Sequence, residues 1–379
     1  MTASTMRRLG DLAEHVRESA TPTPDDARRY VGLEHLVSGA SSLAGWAPAS
    51  SVRSGKFAFR SGDILYGKLR PYLDKAAIAD FDGLASTDII ILRPRDTVDS
   101  QFLTYTMHSR PVLDHAIATT AGVNHPRTSW SSLSNLEVYA PELTEQRRIA
   151  RILSIFQDDR LATDFKTTAL LAAKAALVER LFREVAAEYA QLADVASIER
   201  GRFTHRPRND PRFYDGDIPF IQTGDVTSSA VADGFVRSHS QTLNERGLEV
   251  SRLFPAGTIA ITIAANIGYV ARLLYAAAFP DSIIAITPNG RVDAAYLSYY
   301  LATQREEMDR RAPRGTQKNI NIEFLRPWPV PVPSFADQQR IAGAISVFDR
   351  SIRASNDLRY AIDRAFASGL AEFLGGALS

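Results

Sequence analysis

Apolar and polar positions follow two different periods along this chain. Over residues 1–142, and again over 190–333, apolar residues come in short runs broken by Gly and Pro, as at 63–66, 88–92, 258–263 and 282–286. Short apolar runs bounded by turn residues read as β-strands. Each β-rich stretch ends in a Pro-containing stop, 136–141 and 327–333. The second stop alternates Pro, which neither a central strand nor a helix accepts, so it is expected at an edge or in a linker.

A helical period then takes over, from about residue 144 to 187 and from about 337 to 373. The first of these segments holds no Pro or Gly. Its apolar stripe runs through Ile149, Ile152, Leu153 and Phe156 and resumes at Leu170, Ala173, Leu177, Leu181 and Val185. Between the two stretches Leu161 and Phe165 are the main apolar candidates, and a break in the helix is open there. Ser334 and Asp337 form a variant capping box for the second helix, whereas Glu142 stands in the matching place before the first. At 1.5 Å per residue an unbroken helix of this size spans roughly 60–65 Å.

The two halves repeat each other. Residues 8–13 answer 191–196, 30–36 answer 220–226, and 86–94 answer 280–288. Asp99, Phe102, Leu103 and Tyr105 answer Asp293, Tyr296, Leu297 and Tyr299, and 141–156 answer 333–348. Five blocks in one order point to duplication, with offsets drifting as surface-loop insertions would make them. A helix of this length needs a partner along its whole stripe, and the nearest is the other helix. The expected fold is α+β: two pseudo-symmetric α/β domains, each followed by a long helix, the helices forming an antiparallel coiled-coil spacer. The boundaries are a first domain at 1–142, a helix at 143–189, a second domain at 190–333 and a second helix at 334–379. Local packing of each helix on its own domain is the competing arrangement.

Composition narrows the function. With 379 residues, 45% of them apolar, more than one domain is expected. The chain has no Cys, which excludes disulfides, Cys-type zinc sites and a thiol nucleophile, and fits a reducing cytoplasm. No apolar stretch reaches the ~18 residues of a spanning helix, and the N-terminus lacks the apolar core of a signal peptide, so no membrane role is expected. Basic and acidic residues balance, 44 against 43, so DNA binding has to rest on local clusters. Only 6 of the 44 are Lys; the Arg excess suits phosphate and guanine, and codon bias explains it equally.

The block Gly62 to Lys75, the run Ser86 to Pro94, the matched segments Tyr30 to Leu36 and Ile218 to Val226, and Gln317-Lys318-Asn319-Ile320 resemble blocks of type I restriction–modification specificity subunits. So do the openings Gln146-Arg147-Arg148-Ile149-Ala150 and Gln338-Gln339-Arg340-Ile341-Ala342. The resemblance covers nearly the whole chain, and order and duplication make it specific. It implies two target-recognition domains, each reading one half of a split, asymmetric sequence in double-stranded DNA, held apart by helices that act as a ruler. It further implies docking of two methyltransferase subunits that modify adenine with S-adenosylmethionine, and room for two translocating nuclease subunits. It implies no catalytic residue and no cofactor in this chain. The chain is short for the family, which points to trimmed recognition loops.

Candidate DNA contacts follow from residue chemistry. In the first domain they are Lys68, Arg70, Tyr72 and Lys75, with Asn124, His125 and Arg127; cations neutralise phosphates and Asn suits adenine. In the second they are Arg200, Arg202, Arg206 and Arg208, the densest basic cluster, then Gln222, Thr223, Asn266, Arg314, Gln317, Lys318 and Asn319. A solvated strand edge and ordinary turn chemistry are the plain alternatives. Gln146, Arg147, Ile149, Phe156, Leu177, Leu181, Gln339, Arg340, Ile341 and Phe348 are assigned to helix packing or a partner subunit. Asp281 is read as ending a turn before a strand.

No Asn-Pro-Pro or Asp-Pro-Pro motif and no Walker loop occurs, and no two His lie three or four apart. No metal site is therefore expected. A compact nuclease with its own active site and a scaffold that does not touch DNA are the two other readings.

Overall fold

The computed structural model describes residues 6–122, 124–264, 266–313 and 319–375. It divides into two compact units: Met1–Asp164 with Leu358–Ser379, and Phe165–Asp357.

The first unit is built on a four-stranded sheet of β1 (Ala13–Val16), β2 (Ile64–Gly67), β3 (Ala76–Ile78) and β4 (Ile89–Pro94). Its order is β1-β4-β2-β3, all antiparallel. The period of two decides what each strand buries. Ile90 and Leu92 of β4 enter a core with Leu9, Leu12, Leu103 and Val112, while Ile89 and Ile91 enter another with Val31, Phe59 and Ala85. One strand thus feeds two cores, which is why it reads as an unbroken apolar run. A second sheet of five short strands, among them Lys56–Phe59 and Gly83–Ala85, lies on the far core.

The second unit repeats the plan. Its sheet comprises β5 (Ala196–Arg200), β6 (Phe235–Val236), β7 (Ile259–Thr262), β8 (Val270–Leu273) and β9 (Ile283–Pro288), in the order β5-β9-β7-β8-β6. Only the β6–β8 pair is parallel. Ile284 and Ile286 of β9 face one core and Ile283 and Ala285 another. Registers match as well: Leu92 stands opposite His15, and Ile286 opposite Ile198. The block 220–226 departs from its partner, because a helix, Thr223–Ala232, follows the strand where the first unit has a single 3-10 turn, Leu33–His35.

Each unit is closed by a two-stranded ladder, Met6–Arg8 with Glu137–Tyr139 and Glu188–Gln191 with Pro329–Val332. The alternating prolines of the second stop therefore sit on an edge, where alternate residues need not donate.

The long helices are α1 (Leu143–Glu184, 42 residues) and α2 (Phe335–Leu374, 40 residues). Ser334 caps α2, its hydroxyl accepting from the Asp337 N–H at 3.2 Å. No break interrupts α1. Each helix gives one half to each unit. In the first, Ile149, Ala150 and Leu153 of α1 share a buried cluster with Phe366 and Leu374 of α2, and Arg359 pairs with Asp164 at 2.8 Å. In the second, Ile341 and Ile345 of α2 pack with Val178, Leu181 and Phe182 of α1. Leu161 and Phe165 do not carry the middle of the stripe: they are 59% and 78% exposed. The inward turn there is polar, with Gln157 and Thr163 buried in the first unit and Thr167 bonded to Ser355 at 2.8 Å in the second. No helix is long and apolar enough, among the described residues, to cross a membrane.

Candidate nucleic-acid interface

In the first unit the two predicted loops are joined. Lys68 leaves the end of β2, and a 3-10 turn at Pro71–Leu73 follows, flanked by Arg70 and Asp74 in the left-handed region at φ 52° and 46°. The Arg70 N–H donates to the Pro126 carbonyl at 2.7 Å, the Thr128 N–H to the Lys68 carbonyl at 3.1 Å, and Leu69 bridges Arg127. Lys68, Arg70 and Tyr72 thereby lie on backbone laced to that of Asn124, His125 and Arg127, with Tyr72, Asn124 and His125 exposed. Arg127 forks onto Asp88, Nε to Oδ1 at 2.9 Å and Nη2 to Oδ2 at 3.2 Å. That hydrogen-bonded guanidinium holds the Asp88 carboxyl below its ordinary value. Lys75 is engaged elsewhere: its ammonium donates to the Leu33 carbonyl at 2.6 Å and ties the loop to the 3-10 turn.

Beside these loops opens a cleft of about 560 Å³. His15 and Arg17, at the end of β1, line it together with Phe57, Lys68, Arg127 and Trp130. The His15 and Trp130 rings are 5.9 Å apart, and the Arg17 guanidinium lies 5.8 Å from the Phe57 ring centroid. Burial lowers the His15 pKa, and the charges of Arg17 and Lys68 lower it further.

In the second unit the arginine cluster is tied down. Arg200 Nε donates to the Asp281 carbonyl at 2.6 Å, Arg202 Nε to the Ser251 carbonyl at 2.9 Å, and Arg206 Nη1 to the Phe203 and His205 carbonyls at 2.7 and 2.8 Å. Arg208 pairs with the Asp281 carboxylate, and Arg206 lies 3.7 Å from it. Asp281 is thus a hub for this cluster and not only the end of a turn. The four guanidiniums remain exposed, but much of their donor capacity is already used. Gln222 Nε2 donates to Gln241 Oε1 at 2.9 Å, and Thr223 opens the helix that follows. Ala264 bridges Asn319, which brings Asn319 near Asn266 just as Leu69 brings Arg127 near Arg70. Arg314, Gln317 and Lys318 lie outside the described residues.

The helix openings hold one matched pair. Gln146 is buried; its Oε1 accepts from the Asp99 N–H at 2.9 Å, and its Nε2 donates to the Pro141 and Thr97 carbonyls at 2.8 and 3.2 Å. Gln338 does the same work, accepting from the Asp293 N–H at 2.7 Å and donating to Pro333 at 3.0 Å. The lock in the second copy is Gln338, whereas Gln339 is exposed. The 192-residue offset that pairs Ile149 with Ile341 also pairs Gln146 with Gln338, and that signal was present in the sequence. Arg340 pairs with Asp337 at 3.0 Å, and Arg147 is exposed. Ile149 and Phe156 join the first unit's helix cluster, Leu181 and Ile341 the second's, and Leu177 and Phe348 are half-buried. Among the described residues no group of carboxylates and imidazoles could hold a metal ion.

Comparison with known proteins agrees with the duplicated plan. The specificity subunit of the type I restriction enzyme EcoDI from Escherichia coli is 29% identical over 146 residues, 38% of this chain and 32% of that protein. A putative type I restriction enzyme MjaX specificity subunit from Methanocaldococcus jannaschii is 21% identical over 336 residues, 82% of this chain and 77% of its own. The match spans about a third of the length of the first curated relatives. The crystal structure of a type I restriction–modification S subunit from M. genitalium shares the fold, at a TM-score of 0.64 over 97% of this chain and 95% of its own, with 14% identity. The family model for the type I restriction modification DNA specificity domain matches residues 2–169 and again 185–364, once in each copy of the repeated unit. The chain belongs to that family.

Proposed function

We propose that this chain is the DNA sequence-specificity subunit of a type I restriction–modification complex. Each unit reads one half of a bipartite, asymmetric site in double-stranded DNA. The helices pair along their length as an antiparallel coiled coil and set the distance between the halves, because the spacing of half-sites is a geometric property of the protein that reads them. The same helices receive two methyltransferase subunits, which modify adenine with S-adenosylmethionine, and up to two translocating nuclease subunits join them. The chain itself contributes recognition and no catalytic residue, and it works in the cytoplasm.

The observation that carries this reading is that the family's domain matches twice, once on each copy of a sheet whose loops come together in the same way. In the first unit Lys68, Arg70, Tyr72, Asn124, His125 and Arg127 contact DNA. In the second, Arg200, Arg202, Arg206, Arg208, Gln222, Thr223, Asn266, Arg314, Gln317, Lys318 and Asn319 do so. Arg147, Gln339 and Arg340, exposed at the helix openings, face a partner subunit.

The test is methylation mapping of DNA exposed to the chain assembled with its methyltransferase subunits. A split motif with adenine modified in each half is expected. One heptad inserted in each helix should change the gap and leave the bases unchanged. An unsplit motif, or an unchanged gap, would refute the ruler.

A further inference from the structure

The two units share a backbone plan but not the chemistry of one corner, the cleft beside β1. Matched hydrogen bonds fix which residues correspond. The Lys68 N–H donates to Asp88 and the Ile263 N–H to Ser282; the Thr128 N–H donates to Lys68 and the Ile320 N–H to Ile263. The offsets then equate His15 with Ile198, Arg17 with Arg200, Lys68 with Ile263, Arg127 with Asn319 and Trp130 with Ile322. In the second unit Ile198 and Ile263 are core residues, 9% and 0% exposed, and Arg200 donates to the Asp281 carbonyl at 2.6 Å. The position of Thr87 becomes Asp281, the carboxylate that takes Arg206 and Arg208.

In the first unit the corner is open and cationic. Arg127 is paired with Asp88, on which the Lys68 charge also acts, but among the described residues neither Arg17 nor Lys68 forms an ion pair of its own. Lys68 is half-buried, so its charge is only partly screened by water. Phe57 and Trp130 supply an apolar wall. Two unpaired cations on an aromatic wall fit a ligand that is anionic at one end and apolar at the other. A DNA strand offers such a ligand at every step, a phosphodiester with its deoxyribose.

We infer that this cleft seats one sugar–phosphate unit of the bound strand, the phosphate between Arg17 and Lys68 and the sugar against Phe57 and Trp130. The second unit keeps one of the two cations, Arg200, but has Ile263 in place of Lys68, so among its described residues the pair is missing. The inference rests on the DNA-binding reading above and adds to it that the backbone grip is asymmetric.

The experiment uses the full chain assembled with its methyltransferase subunits and a duplex carrying the mapped motif, titrated across KCl concentrations. Arg17→Ala and Lys68→Ala should each weaken binding about tenfold, as loss of a charge-assisted contact does. The double variant should lower the slope of log K against log salt by about 0.9, the value for one phosphate. Single methylphosphonates are then walked through the duplex. One of them, in the half-site read by the first unit, should weaken wild-type binding and cost the double variant nothing further. Unchanged melting temperature and retained affinity in Lys68→Arg separate contact from misfolding. An unchanged salt slope, or variant and methylphosphonate penalties that simply add at every position, would overturn the seat. A wild-type complex with no sequence-selective binding would overturn the DNA reading itself.

Discussion

Gln157 and Asp349 stand 192 residues apart at the same station of the two long helices, and they hold their units together by different means. In the first unit the latch is neutral. The Gln157 carbonyl accepts from the Ser41 N–H at 3.1 Å and from the Ser41 hydroxyl, and its amide donates to Gly39 at 3.3 Å. In the second the latch is ionic. Asp349, 1% exposed, receives Lys174 at 2.6 Å and the Tyr299 hydroxyl. A second pair lies nearby, Arg353 to buried Asp233 at 3.0 Å, and burial lowers the pKa of Arg272, which lies over the Tyr299 ring. Duplication kept the backbone station and the Tyr105–Tyr299 correspondence while the chemistry changed. A buried ion pair adds little when intact but is costly to break on one side, so the ionic latch is the more fragile to substitution.

The largest expected effect comes from Lys174→Met, which strands the Asp349 carboxylate. It should destabilise the second unit by about 3 kcal/mol. Hydrogen exchange read by mass spectrometry should show lost protection around 294–303 and 341–352 and none around 39–41. Gln157→Ala removes neutral bonds only and should cost about 1–2 kcal/mol, with lost protection confined to 39–41 and the facing turn of α1. Equal costs for the two variants in urea titrations would break the contrast.

Gln146→Ala and Gln338→Ala sharpen it from the other side. Their hydrogen bonds correspond one to one, so the two should cost the same, about 1–2 kcal/mol each, and a gap above about 1 kcal/mol would show that the copies are unequal here too. The smallest effect is acidic. Arg127 depresses Asp88 from its ordinary value of 3.8, so the pair's contribution is present above that pH and is lost as pH falls through the lower, folded value. Asp88→Asn should flatten the low-pH limb of the first unit's melting curve, and an unchanged limb would show that the pair contributes nothing. The second unit has Ser282 in that place and should show no such limb from this source.

Much of this was legible in the sequence because periodic features survive drift. The strand runs, the helices, the Ser334 cap and the duplication all show as spacing. The meeting of 68–75 with 121–128 was not legible, because the hydrogen bonds that join them link distant segments with no shared spacing, whereas Gln338 could have been found by applying the offset consistently. The middle of α1 was misread because Leu161 and Phe165 are apolar, whereas helix phase turns them outward and brings Gln157 and Thr163 in. The arginine cluster looked unencumbered because sequence does not show that Asp281, more than seventy residues away, folds back onto it. The cleft could not be seen at all. His15, Phe57, Lys68 and Trp130 come from four segments with no common motif, and only the packing of the first sheet with the strand Lys56–Phe59 and the helical turn at Trp130 places them together.

The short ladders that close each unit have a consequence for insertions. Met6 lies opposite Tyr139, and Glu188 opposite Val332, so each globular part begins and ends at one doorway. An insert of different length between those two points would leave the ladder, and the start of the helix that follows it, in place.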